Sequence, residues 1–153
     1  MANPDAVAQL TLDSFSNARV AIAQGVSLAT TGNAVANLAI CSGGLTNGGA
    51  VSNSGAVIVR KITVTSLQGS VSSANVAIYT SNDGNAANIV TANTVLSTLS
   101  APGRYQDIAV SGAYGANTAI SGSTTSTLFV AVNTASGNSN AVTISVYGDV
   151  VSF

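Results

Sequence analysis

In Val142-Thr143-Ile144-Ser145-Val146-Tyr147 a branched aliphatic stands at every second position, and hydroxyl-bearing residues fill the positions between. Side chains alternate faces along an extended chain, so this stretch reads as a strand with one face in a core and one in water. Leu128, Val130 and Val132 repeat the pattern, with Phe129 and Ala131 on the other face. So do Val76 and Ile78 between Asn75, Ala77 and Tyr79, and Val20 and Ile22 between Ala21 and Ala23. In Ala34 to Ile40, Leu38 and Ile40 share a face.

The longest strand signal, Ala56 to Thr65, changes parity midway. Val57 and Val59 fall on one face, whereas Ile58, Ile62 and Val64 fall on the other. One extra residue near Arg60-Lys61 would bring Val57, Val59, Ile62 and Val64 into a single register, which predicts a β-bulge or sharp bend there. Burial on both faces of the first half is the alternative.

Turn chemistry separates these runs. Gly43-Gly44 and Gly48-Gly49 flank a loop from about 42 to 55. Asn82-Asp83-Gly84-Asn85 is a hairpin-type turn, because Asp-Gly and Asn-Gly pairs tolerate positive φ. Ala101-Pro102-Gly103 suits a type II turn, with Pro fixing its own φ and Gly taking the left-handed position. Gly112, Gly115, Gly122 and Gly137 punctuate the rest. In Ala86 to Leu99 the residues Ile89, Ala92, Leu96 and Leu99 would fit a helical stripe. The Val, Thr and Asn content opposes a helix, and the segment reads as extended.

About eight or nine short strands without long helices define an all-β chain, a single-domain β-sandwich, preferably a jelly roll of about eight strands. The sandwich is expected over residues 18–153, behind a short N-terminal arm or lead-in strand at residues 1–17. No fixed repeat period supports a solenoid.

Composition narrows function. The chain has 153 residues, of which 6% are charged, against about 25% in an ordinary soluble domain. Mean hydropathy is +0.45, yet Ser, Thr, Asn or Gly interrupts every apolar run before the roughly 20 residues that a spanning helix needs. With no Trp and few aromatics, an outer-membrane barrel would lack its girdles. No membrane association is expected. Met1-Ala2-Asn3-Pro4-Asp5 carries neither a basic n-region nor an apolar h-region, so no signal peptide is expected. A net charge of −1, with Arg60 and Lys61 on opposite strand faces, offers no patch for nucleic acid. The 19 Val, 9 Ile and 9 Leu in alternating order exclude a disordered chain.

Catalysis finds few side chains to use. There is no His and no Glu, so a Ser–His–Asp arrangement is excluded. A Ser–Lys dyad would have only Lys61, inside a strand. Cys41 has no base to activate it and reads as a small buried apolar residue. Asp83 and Asp107 are the one conceivable carboxylate pair. Neither stands in an Asp-Thr-Gly or Asp-Ser-Gly context. Asp83 reads better as a turn residue, and Asp107 as a strand-end charge paired with a nearby Arg. Asn82, Asp83 and Asn85 would offer Ca²⁺ oxygen ligands but only one carboxylate, so a plain turn is the better reading. The expectation is a non-enzyme with no catalytic, cofactor-binding or metal-binding residues. Tyr79, Tyr105, Tyr114 and Tyr147 could stack on sugars, although Tyr79 and Tyr147 read as strand residues packing on neighbours.

One Lys and two Pro are scant protection for so many strand edges, which argues for an assembly that buries them. The cadence Ile58-Val59-Arg60-Lys61-Ile62-Thr63-Val64, Val76-Ala77-Ile78-Tyr79-Thr80 and Asp83-Gly84-Asn85 resembles small virion proteins of tailed bacteriophages. So do Leu96…Leu99, Gly103-Arg104-Tyr105-Gln106-Asp107, Leu128-Phe129-Val130 and Val146-Tyr147-Gly148-Asp149-Val150. Such proteins are similar to jelly-roll capsid decoration (cement) proteins, and the resemblance spans roughly residues 18–153. It is a likeness of cadence and composition, not of a diagnostic motif. It implies a homo-oligomer, commonly a trimer, seated on the major capsid protein lattice at the capsid exterior. It implies no catalytic residues. The alternative expectation is a receptor- or glycan-binding sandwich of a tail fibre or surface adhesin, with Tyr105 or Tyr114 in a groove.

Overall fold

The alternating segments pair into strands, all of them antiparallel. A computed structural model describes residues 14–40, 55–112, 118–121 and 127–152. In chain order the strands are β1 (Ser14–Ser27), β2 (Gly32–Ala39), β3 (Gly55–Ser66), β4 (Asn75–Tyr79), β5 (Ile89–Val95), β6 (Tyr105–Ile108), β7 (Ala119–Ser121), β8 (Thr127–Thr134) and β9 (Ala141–Ser152). The pairs nest: β1 with β9, β2 with β8, β3 with β6 and β7, and β4 with β5. Rolling such a nested hairpin joins β9 to β3 and β8 to β4. The result is two sheets, β1-β9-β3-β6 and β2-β8-β4-β5, with β7 beside the first half of β3. This is the jelly-roll connectivity expected from the sequence.

Val142, Ile144 and Val146 from one sheet meet Leu128, Val130 and Val132 from the other in a single core. Ile62, Ile78, Leu28, Leu38, Leu96 and Leu99 are fully buried in it. Each such aliphatic contributes about 1.5–3 kcal/mol by leaving water. A small second cluster, Ala77, Tyr79 and Ala131 with Ile89 against it, comes from residues that alternate to the opposite side of β4 and β8.

The bulge lies where the parity change places it. Val59 stands opposite Gly148 and Lys61 opposite Tyr147, so Arg60 is the additional residue. Val57, Val59, Ile62 and Val64 all face the core as a result. Gly148 fits the same spot, because a Cβ there would run into the Ile58 carbonyl.

β1 departs from its expected alternation. Arg19 pairs with Tyr147 and Ala21 with Val146, which leaves Val20 as an inserted residue. Val20 and Ala21 are both buried, while Ile22 turns outward and is 37% exposed. The partner strand decides this, since Ser145 rather than an aliphatic stands opposite Ile22. β1 starts at Ser14, inside the segment expected as an arm or lead-in strand, where Ser14 and Phe15 stand opposite Val151 and Val150. Residues 1–13 of the expected arm and the glycine-rich loop at 41–54 lie outside the described residues.

The ambiguous segment is extended over β5 and flanked by a single 3-10 turn, Ala86–Asn88, that Asn85 caps with its side chain. Leu96 and Leu99 enter the core from a turn in which the Leu99 N–H donates to the Leu96 carbonyl at 2.9 Å. In the Pro102 turn Gly103 has φ +75°, and the Arg104 N–H donates to the Ala101 carbonyl at 3.3 Å.

Four connections gather at one end of the sandwich: residues 28–31, 67–74, 96–104 and 135–140. They are tied to one another. The Ser136 N–H donates to the Leu28 carbonyl (2.8 Å), Val71 N–H to Leu99 (2.9 Å), and Gly103 N–H to Ser66 (2.9 Å). The Asn138 and Asn140 amides both donate to the Ser70 carbonyl, at 2.9 and 3.1 Å. The β4–β5 connection, with Asp83, lies at the opposite end.

Candidate functional site

Charge is distributed unequally between the sheets. The sequences of β2, β8, β4 and β5 contain no charged residue. Arg19, Arg60, Lys61, Asp107 and Asp149 all stand on strands of the other sheet. Because Ile62, Val64, Ile144 and Val146 point inward, Lys61, Thr63, Tyr147 and Ser145 alternate to the outside.

There the polar groups link strands. The Thr63 hydroxyl donates to Asp107 Oδ1 at 2.6 Å, and Lys61 Nζ stands 4.0 Å from Asp107 Oδ2. The same ammonium lies 5.3 Å from the centre of the Tyr147 ring, a cation–π placement. At the bulge the Arg60 guanidinium donates to Asp149 Oδ2 at 2.7 Å. Asp107 therefore faces Lys61 and Thr63 rather than an Arg. Thr63 is its direct partner across the β3–β6 ladder, a proximity that sequence spacing does not reveal.

Asp83 does a different job. Its Oδ1 accepts the Asn85 N–H at 2.9 Å, and both oxygens face the Asn88 amide at 3.4 Å. The Asn85 side chain in turn accepts the Ala87 N–H at 3.0 Å. The Asn85 N–H, helped by Asn88, holds the Asp83 carboxyl below its ordinary pKa. Gly84 next to it has φ +68°, and a Cβ there would meet the Asn33 amide. These contacts build a turn; Asp83 and Asp107 share no partner and belong to different elements. Among the described residues no group of three or more His, Cys, Asp or Glu could hold a metal ion. Nor is any helix among them long and apolar enough to cross a membrane.

The tyrosines divide. Tyr79 is 7% exposed and packs on Ala77 and Ala131. Tyr147 lies under Lys61. Tyr105 is 66% exposed on β6. Tyr114 and Cys41 lie outside the described residues. Neither a family model, nor a curated protein, nor a solved structure matches the chain.

The sequence reading did not single out one corner of the tied end. The exposed large hydrophobics among the described residues are Ile22, Leu67, Val95 and Tyr105. Leu67 and Tyr105 adjoin on the outer face of one sheet, whereas Val95 stands on the outer face of the other. Tyr105 pairs with Thr65, two residues before Leu67, so the two are diagonal neighbours on adjoining strands. The Gln106 amide donates to the Val95 carbonyl at 2.9 Å, and Gln106 Oε1 accepts the Thr98 N–H at 3.1 Å. The Thr98 hydroxyl also donates to the Tyr105 carbonyl at 3.3 Å. Exposed Pro102 and Arg104 adjoin them in the chain.

Proposed function

We propose that this chain is a non-enzymatic structural protein of a virion. In this reading it decorates and stabilises a phage capsid by seating copies of itself, as a trimer, on the outer surface of the major capsid protein lattice. The observation that supports it is the placement of charge. Four of the five charged strand residues pair with one another across strands, Arg60 with Asp149 and Lys61 with Asp107. One whole sheet carries no charge at all. A sandwich of this kind acts through the contacts of its surfaces. The step from an assembly protein to a phage head rests on the resemblance in residues 58–64, 76–80, 83–85, 96–99, 103–107, 128–130 and 146–150. Quantitative mass spectrometry of purified virions tests it. A copy number comparable to that of the shell protein is expected, and a few copies or none would reject it.

A second reading, a glycan-binding head of a fibre or adhesin, is favoured by Tyr105 alone, whose ring is mostly open to water. Saturable binding on a glycan array that Tyr105→Ala abolishes is its expected signature. Uniformly negative arrays would remove it.

A further inference from the structure

A sandwich has two open sides, and the described residues close one of them. Where β5 and β6 end the two sheets, the chain after β6 crosses between them. Thr91 bridges Val110, the Gly112 N–H donates to the Val90 carbonyl at 3.1 Å, and β7 returns to pair with Ala56 to Ile58 of β3. On the other side β1 and β2 are the outermost strands of their sheets and lie against each other. On these two strands Ala23, Val35 and Ala36 pack on the core yet stay partly open to water.

The backbone of β2 adds a second need. Its one ladder is with β8, so among the described residues the N–H and C=O groups of its other edge have no strand to pair with. No charge or proline stands on that edge, and Asn33, Ala34, Asn37 and Ala39 are exposed.

A segment of this chain matches both needs. β1 begins at Ser14, at the end of the sandwich away from the 28–31 connection, and β2 finishes at that same end. The thirteen residues before Ser14 reach roughly 43 Å when extended, against about 10 Å between packed sheets and about 27 Å along the eight residues of β2. Within them Ala6, Ala8, Leu10 and Leu12 fall at alternate positions, with Val7, Gln9 and Thr11 between. As a strand, such a stretch turns one apolar face inward. Between Asp5 and Asp13 it has no charge to strip of water beside an uncharged strand.

We propose that residues 6–12 close the β1–β2 side of their own molecule. The segment lies along the free edge of β2 as an added strand, and Leu10 and Leu12 cover Ala23, Val35 and Ala36. Both strands run towards the end where Ser14 lies, so the pairing is parallel. The tether at Ser14 keeps the segment at a high effective concentration beside this edge, which favours its own molecule over a neighbour.

Hydrogen exchange of the isotope-labelled full chain, read amide by amide by NMR at about 20 and 500 µM, tests the proposal. The β2 amides turned away from β8 should exchange slowly, and alike at both concentrations. Leu10→Asp/Leu12→Asp should speed them about tenfold or more, while the amides of β4 and β8 stay protected. Leu12→Ser, a milder change, should act in the same direction, and Leu10→Ile/Leu12→Ile should preserve the protection. Exchange in the parent chain as fast as at an open edge overturns the proposal, and so does slow exchange that the Asp pair leaves unchanged. Protection confined to the higher concentration overturns it in favour of a second copy on β2. Virion copy number bears on the shell assignment and β2 exchange on this contact, so either can fail without the other.

Discussion

Deleting Arg60 should be tolerated, whereas deleting another residue of β3 should not. Arg60 is the residue by which β3 exceeds β9 between Val59 and Lys61. Without it, Ile62 and Val64 move up one place and still share a face with Val57 and Val59. Two residues no longer oppose one, and the ladder becomes regular. The variant loses the Arg60–Asp149 pair, whose side chains are 37% and 22% exposed, a term of about 0–1 kcal/mol at such exposure. It also loses the local twist of the bulge. A total cost of about 1–2 kcal/mol follows, small against a stability of about 5–15 kcal/mol.

Deletion of Thr63 has no such escape. With the bulge retained, Val64 swings out and Thr65 swings in. Losing the burial of Val64 costs about 1.5–3 kcal/mol, and burying an unpartnered hydroxyl adds about 1–3 kcal/mol. With the bulge absorbed instead, Lys61 turns into the core, which costs more. The difference between the two deletions should therefore be about 0.5–5 kcal/mol. Urea unfolding followed by far-ultraviolet circular dichroism and tyrosine fluorescence measures it. Equal destabilisation by the two deletions, or an unfolded Arg60 deletion, would refute the parity argument.

Gly148→Ala should destabilise by about 1–3 kcal/mol in the same assay, since its methyl meets the Ile58 carbonyl across the bulge. Thr91→Val should cost about 1–3 kcal/mol, because the buried Ile78 N–H loses the Thr91 hydroxyl that accepts it at 2.9 Å. Asp83→Asn should reveal a pH window. The folded carboxyl has a depressed pKa, so its contribution is complete above the unfolded pKa, near 4, and disappears as pH falls through the lower folded value. The gap in melting temperature between parent and variant should thus be constant above about pH 5 and close below it. A gap that widens with acid would contradict the turn's reliance on that carboxylate.

Where alternation was strict on both strands of a pair, as at Val142 to Tyr147 and Leu128 to Val132, the residues alone placed the core. The bulge at Arg60 was legible for the same reason, since an aliphatic parity change has few physical solutions. β1 was not, because Ala21 and Ala23 are small enough to lie on either face. The choice fell to Val146 and Ile144, more than a hundred residues away in the chain. The partners of the charges were equally hidden. Asp149 finds Arg60 at a separation of 89 residues and Asp107 finds Thr63 at 44. That Gln106 reaches back to the Val95 carbonyl depends on strand order, which no local pattern encodes.

Edge protection is where composition and structure bear most directly on assembly. Few Lys and Pro would leave jelly-roll edges open, yet the β5–β6 side is closed by other means. Thr91 bridges Val110, the Gly112 N–H donates to the Val90 carbonyl at 3.1 Å, and the Gln106 amide covers the Val95 carbonyl. β1, the long edge of the charged sheet, is broken by register shifts at three places, which spoils it as a template for another strand. β2 has one shift, between Gly32 and Ala36, and runs in regular register from Ala36 to Ala39 without a charge or a proline. Scarcity of charge therefore does not by itself demand that every edge be buried between copies. Among the described strands the longest regular edge without a charge is that of β2, and a single Lys at Asn37 would guard it. If Asn37→Lys lowers aggregation on heating while concentration-dependent sedimentation is unchanged, the edge and the assembly contact are separate surfaces. If both fall together, β2 is itself the contact.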